Sequence, residues 1–363
     1  MNWTRLTTAA AKAAETPIRD RFADPNRAAT FSVKTADLLF DYSKTSMDVD
    51  ARDLLVQMYE EADVPARRDA MFAGQKINET EGRAVLHTAL RNLTGDPVAV
   101  DGQNVVPEVR ATLDRMEAFA ESVRNGEFGG SSQGRITDIV NIGIGGSDLG
   151  PAMATLAMAP YHDGPRCHYV SNVDGAHIND ILLPLTPAST LVIVASKTFT
   201  TIETMTNAET ARDWIAQSVG ADNAGHHFVA LSSATDKTAD FGIDASRVFG
   251  FEDWVGGRYS MWGPIGLALM IAVGPQAFRA ILGGGEAMDT HFCAAPPLEN
   301  IPVMLALTGI WHNQGQGHAT RAVLPYEQRL SRLPAYLQQL EMESNGKGVS
   351  MDGADLPVHS GPV

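Results

Sequence analysis

From Ile136 onward, predominantly apolar runs of strand length alternate with longer stretches of mixed polarity. The runs Ile136–Ile142, Cys167–Ser171, Thr190–Ala195 and Phe228–Leu231 predict strands buried on both faces. Helical stretches between them imply right-handed βαβ units and a parallel sheet covered by helices. Ahead of this region, residues 1–105 read as mostly helical. Asp50 suits an N-cap, and Leu54, Leu55, Met58 and Tyr59 give one apolar stripe behind it. A second helix is predicted over Gly82–Arg91. A clearer one covers Pro107–Arg124, where Val109, Leu113, Met116, Phe119 and Val123 share a face. Around Gly274-Pro275 the alternation stops, and helical runs follow over Gln276–Phe292 and Leu298–His312. His318–Leu324 is then expected to start another strand, with a helix to about Glu343. The expected class is α/β: a helical region over 1–105, an α/β domain over 106–275, and the start of a second over 276–363.

A chain of 363 residues suits two domains better than one core. No run is long and apolar enough to cross a bilayer, and Met1-Asn2-Trp3-Thr4-Arg5 lacks the apolar segment of a signal peptide. A cytoplasmic location is therefore expected. Cys167 and Cys293 are too few and too far apart for a disulfide framework or a zinc site. The net charge of -15 disfavours nucleic acid and anionic membranes as partners. On so acidic a chain, a site for an anion must gather its positive potential locally, which draws attention to Lys197 and Arg258.

Two predicted strands run straight into loops suited to phosphate. Ile136–Ile142 leads to Gly143-Ile144-Gly145-Gly146-Ser147-Asp148-Leu149-Gly150. Its close glycines allow tight backbone approach, and Ser147 stands near a helix start; the same residues equally suit a capped turn that binds nothing. Leu191–Ala195 leads to Ser196-Lys197-Thr198-Phe199-Thr200-Thr201-Ile202-Glu203. Here Ser196, Thr198, Thr200 and Thr201 offer hydroxyls and Lys197 a point charge. Thr200–Glu203 fits a capping box, so a helix amino terminus is expected at this spot and capping is the expected task of Glu203. In open α/β sheets, ligands bind outside the carboxyl ends of the strands, so both loops are expected to converge on one small anion. A third segment, Asp253-Trp254-Val255-Gly256-Gly257-Arg258-Tyr259-Ser260-Met261-Trp262, sets an arginine among aromatics. A guanidinium held this way stabilises oxyanion charge, or equally a structural ion pair. His87, His318 and His359 fall in no metal or triad spacing. His226-His227 read as loop, and Glu79, Glu341 and Glu343 read as solvated helix-face charges.

Taken together, Asn141–Pro151, Ala195–Thr201 and Asp253–Gly266 resemble, in the same order, three long motifs of the glucose-6-phosphate isomerase family. Lys76–His87, Asn207–Ala211 and Met342–Lys347 support the likeness, which runs over nearly the whole chain. The resemblance implies flavodoxin-like sugar-isomerase domains with a helical arm, working as a homodimer. It implies interconversion of glucose 6-phosphate and fructose 6-phosphate through an enediolate, in glycolysis and gluconeogenesis, with no cofactor or metal. Carried over by position, Ser196, Lys197, Thr198, Thr200 and Thr201 would hold the phosphate, Gly146 and Ser147 would line the sugar, and Arg258 would stabilise the enediolate. The family's Gly-Glu-Pro-Gly-Thr-Asn-Gly-Gln-His stretch, expected to carry the proton-abstracting glutamate, does not occur in this sequence; Ser360-Gly361-Pro362-Val363 resembles the residues just before it. The ring-opening histidine and the carboxy-terminal lysine are expected further on. On this reading the chain is an amino-terminal fragment that holds the phosphate site and the arginine but does not turn over. A non-catalytic sugar-phosphate-binding module is the alternative. A nucleotide-binding oxidoreductase fails at Asp148, where the dinucleotide fingerprint needs glycine.

Overall fold

A computed structural model describes residues 3–35, 37–131 and 134–362. The described chain divides into two compact units. One comprises the residues up to Gly82, Ala287–Val323 and those from Glu341 on; the other comprises Arg83–Glu286 and Leu324–Leu340.

The second unit is built on a five-stranded parallel sheet: β1 (Asp138–Ile142), β2 (Arg166–Val170), β3 (Thr190–Ala195), β4 (Phe228–Leu231) and β5 (Val248–Phe249), in the order β2-β1-β3-β4-β5. The four expected strands are present, within two residues at their ends, and β5 adds a short edge. Alternation along the strands explains the two cores. Ile139, Leu191, Ile193, Val229, Leu231 and Phe249 face one layer of helices, which includes Val106–Asn125 and Leu267–Val273. Val140, Ile142, Val192, Val194, Phe228 and Val248 face the other, against Gly175–Leu182 and Ile202–Val219. The Leu267–Val273 helix is apolar all round and buried throughout, as a helix sealed inside a protein must be. Each such side chain, fully buried, contributes about 1.5–3 kcal/mol.

The order β2-β1-β3-β4-β5 changes direction between β1 and β3: the chain leaves β1 toward β2 on one side and returns to β3 on the other. Their carboxyl ends therefore open a crevice that helices do not cover, the place where open α/β sheets bind ligands. The opposite end of the sheet is closed by charge. Buried Asp138 accepts bonds from Arg166 and His168 of the neighbouring strand, both at 2.9 Å.

The first unit is mostly helical, packing Trp3–Ala14, Val49–Glu61 and Ile301–Ile310 around Leu6, Met47, Leu55 and Trp311. Four expectations need correction. The N-cap of Val49–Glu61 is Asp48, whose carboxylate accepts from Ala51 N–H at 2.9 Å, while Asp50 lies in the first turn. Over Gly82–Arg91 only a short 3-10 turn forms, His87–Arg91, because Leu86 N–H is taken by the Trp254 carbonyl. The Leu298–His312 run begins as a separate 3-10 turn, becomes α-helical only from Ile301, and ends in one π turn over Trp311–Gly315. His318–Leu324 is not a strand; it joins no sheet among the described residues and stays largely exposed.

Candidate active site

Three loops meet at the crevice, and each holds the next. The first, after β1, forms a 3-10 turn at Gly145–Ser147 and then the helix Leu149–Ala157. Gly143 packs on the end of β3, where a Cβ would stand 3.2 Å from the Ala195 Cβ. Gly146 lies against the arginine segment, so closely that a Cβ there would fall 2.2 Å from the Gly257 carbonyl carbon and 2.6 Å from the Arg258 nitrogen. Only glycine permits that approach. The Asn141 amide, buried in β1, donates to the Ser147 carbonyl at 3.2 Å and ties the turn to its strand.

The second loop, after β3, projects hydroxyls. Ser196 and Thr201 oxygens stand 3.3 Å apart, and those of Thr198 and Thr200 stand 2.7 Å apart. Phe199 between them adopts a left-handed conformation with φ 53° and sinks its ring into the core. This turns Thr198 and Thr200 outward. The helix Ile202–Val219 starts here, as expected, but without the capping box. Thr201 is the N-cap and makes no side-chain cap bond, and Glu203 follows it by two residues instead of three. The hydroxyls pair with one another across the turn, so the loop itself places no cap on the positive end of this 18-residue helix. Glu203 instead lines a hollow of about 360 Å³ together with Ile144, Gly145, Asp148, Ser171 and Asn172.

The third loop carries Arg258 in a 3-10 turn, Gly257–Trp262, with its guanidinium 5.1 Å from the Tyr259 ring centroid. The other face of the support is His87, whose ring stacks on Tyr259 at 4.4 Å and 24°. Burial, with Arg91 and Arg258 nearby, pushes the His87 imidazole down to about 3, so it is neutral beside the guanidinium. This loop also closes on the second: Lys197 Nζ sits 2.9 Å from Asp253 and donates to the Glu252 carbonyl at 3.4 Å. The Lys197 ammonium holds the Asp253 carboxyl below its usual range. A surface pair of this kind contributes little to stability. In the first loop, burial pushes the Asp148 carboxyl up against the opposing pull of Arg332 and His177.

All eight sequence-derived residues, Gly146, Ser147, Ser196, Lys197, Thr198, Thr200, Thr201 and Arg258, lie on these three loops. Sequence reasoning missed Lys237, which donates to the Thr198 carbonyl at 3.2 Å from the helix after β4. The rule that strand-end loops converge would have found it. It also missed Gln339, whose side-chain nitrogen fills the space where a Gly145 Cβ would go, at 2.8 Å. His87, set aside as an ordinary histidine, is such a residue in the sense of being buried and neutral, yet it braces the arginine loop. Among the described residues no cluster of histidine, cysteine and carboxylate side chains fits a metal ion, and no helix is long and apolar enough to cross a membrane.

Comparison with known proteins agrees with this geometry. The family model described as phosphoglucose isomerase matches residues 41–363. A glucose-6-phosphate isomerase of Cereibacter sphaeroides is 70% identical over 347 residues, covering 96% of this chain and 64% of the relative. One from Ruegeria pomeroyi is 64% identical, covering 95% of this chain and 64% of the relative. A crystal structure of a glucose-6-phosphate isomerase from Chlamydia trachomatis superposes with a TM-score of 0.86 at 29% identity, over 99% of this chain and 69% of that one. The chain thus spans just under two thirds of the length of the two bacterial sequences. With that family model matching residues 41–363 and these relatives covering nearly the whole chain, the chain belongs to the phosphoglucose isomerase family.

Proposed function

We propose that this chain is the phosphate-binding part of an aldose–ketose isomerase acting on glucose 6-phosphate and fructose 6-phosphate. The observation that carries the reading is the convergence of Lys197, its surrounding hydroxyls and Arg258 at the carboxyl ends of β1 and β3. The phosphate displaces Asp253 from Lys197 and takes bonds from Ser196, Thr198, Thr200 and Thr201, each charge-assisted bond contributing about 1.5–3 kcal/mol. The helix amino terminus behind them adds its dipole. Gly146 and Ser147 line the sugar. Moving a proton between C1 and C2 creates an enediolate, and Arg258, held by the Tyr259–His87 stack, offers fixed positive charge to it. A neutral His87 suits this, since it neither repels nor neutralises the guanidinium. Phosphate held away from the reacting carbons supplies binding energy for orientation. The segment 276–363 is read as the start of a second sugar-isomerase domain, and the intact family member as a homodimer.

The 363-residue chain is expected to bind sugar phosphate without turnover, because the ring-opening histidine and the lysine that the resemblance implies are not in its sequence. Proton abstraction is a separate question, for which two carboxylates are candidates. Glu203 lines the hollow beside Gly145. Glu343 follows Gln339 by four residues in the helix Leu333–Asn345, on the same helical face. The test is calorimetric titration of the folded chain with fructose 6-phosphate and with inorganic phosphate, alongside a coupled isomerase assay. Binding that weakens at least tenfold in Lys197→Ala, with no turnover, is the expected result. Absence of binding to a cooperatively folded chain would overturn the reading. Turnover lost in Glu343→Gln or in Glu203→Gln would replace the expectation of a silent chain and name its base.

A further inference from the structure

Behind the arginine loop, at the open edge of the sheet beside β5, lies a cavity of about 460 Å³. It falls in the size range of small-molecule sites, about 300–1,000 Å³. Its walls are largely apolar: Leu113 and Met116 from the Val106–Asn125 helix, Ile243 and Val248 near the edge strand, and the indoles of Trp254 and Trp262. No residue of the proposed sugar-phosphate site lines it. Its charged groups are few and unequal. Glu108 and Glu252 both belong to the lining, whereas the single cation, Arg115, is committed elsewhere. The Arg115 guanidinium donates to the Val248 carbonyl at 2.9 Å and lies over the Phe249 ring at 5.1 Å.

From this lining we infer a second ligand site, one that takes a small organic ammonium carrying an aromatic or aliphatic body. The apolar walls take the body, the two carboxylates take the charge, and the indole face of Trp254 adds a cation–π contact. Partial burial, then the neighbouring Glu108 and Asp253, push the Glu252 carboxyl above its usual range, and a bound cation would relieve that repulsion.

The site reports to the phosphate loop. Ser232 and Ser233 line the cavity and bond the Lys197 carbonyl, through the Ser232 hydroxyl at 3.0 Å and the Ser233 N–H at 3.1 Å. On the other side, the Glu252 carbonyl accepts from Lys197 Nζ. An occupant that shifts Glu252 together with the two serines therefore alters the setting of the lysine from both ends. This coupling rests on the reading of Lys197 as a phosphate ligand; the cavity and its charge do not.

Tryptamine is the probe, with indole-3-acetate as its anionic counterpart, titrated calorimetrically into the full 363-residue chain. Tryptamine is expected to bind at one site at least tenfold more tightly than indole-3-acetate. Glu108→Gln and Glu252→Gln should each weaken it roughly fivefold, and Thr112→Trp, which fills the cavity from the helix, should abolish it. Equal binding of both probes, or tryptamine binding indifferent to Glu108→Gln and Glu252→Gln, would overturn the site. Glu108 is exposed, so its variant tests the proposal even where the filled cavity fails to fold. Saturating tryptamine should change the affinity for inorganic phosphate at least twofold. A chain that binds tryptamine but no phosphate would refute the functional reading and keep the site; one that binds phosphate but no tryptamine would do the reverse.

Discussion

The loops after β1 and β3 stand side by side at one crevice, yet they are built on opposite principles. The first works by lacking side chains: Gly143 and Gly146 let backbone meet backbone, and Gly146 is where the arginine segment docks. The second works by displaying them, with hydroxyls and an ammonium around a turn that one buried phenylalanine anchors. The difference is one of failure mode. A methyl group added to the first loop is a steric fault that reaches the fold. A group removed from the second is a chemical fault that leaves the fold alone.

Gly146→Ala is the most severe way to probe this contrast. Its Cβ would collide with the Gly257 carbonyl, and two backbones have little freedom to part. Overpacking of this kind costs about 1–3 kcal/mol and sometimes more. Urea denaturation should show a loss at the top of that range, together with loss of phosphate binding as the arginine loop lifts away. A variant of wild-type stability would mean that the first loop is not held by this contact.

The brace behind the arginine loop gives the next effect, read through pH. His87 binds its proton much more weakly in the fold, at about 3, than in the unfolded chain. Its contribution to stability is therefore complete above pH about 6.5 and is lost as pH falls from there toward 3. Across that window the slope approaches about 1.4 kcal/mol per pH unit from this residue alone. In His87→Gln, the difference in slope from wild type between pH 6 and 4 isolates it from the other buried histidines. An unchanged slope would show that the imidazole is not buried as described.

The smallest effect belongs to the second loop. Thr198→Ala removes one exposed hydroxyl and should weaken phosphate binding roughly fivefold, about 1 kcal/mol, with the melting temperature unchanged. A drop in melting temperature would place Thr198 with the first loop's kind of residue and blur the contrast.

Much of this site was legible in the sequence because it is local. An apolar run followed by glycines or hydroxyls marks the carboxyl end of a buried strand, and position alone carries those residues to one edge of the sheet. The strand register was not legible, since Val192, Ile193 and Val194 are equally apolar and only the fold assigns alternate residues to different cores. What depends on distant partners was not legible. The approach of Gly146 to Gly257 spans more than a hundred residues, and Gln339 lies outside every motif read from the sequence. Local rules also misplaced details that tertiary context decides. Asp48 rather than Asp50 caps its helix, Thr200 bonds Thr198 instead of completing a capping box, and His318–Leu324 finds no strand to pair with among the described residues.

Phe199 carries a last consequence. Its left-handed backbone is held by a ring packed edge-on against Phe241, with centroids 5.7 Å apart. The turn that displays Thr198 and Thr200 is therefore rooted in the same hydrophobic layer that Val192 and Val194 fill. On the proposed reading, an anion arriving there meets a socket already set, and little of its binding free energy goes into ordering the chain. The same rooting removes independence: amide exchange in this turn should require opening of the surrounding core, so the loop keeps its shape for as long as the sheet does and no longer.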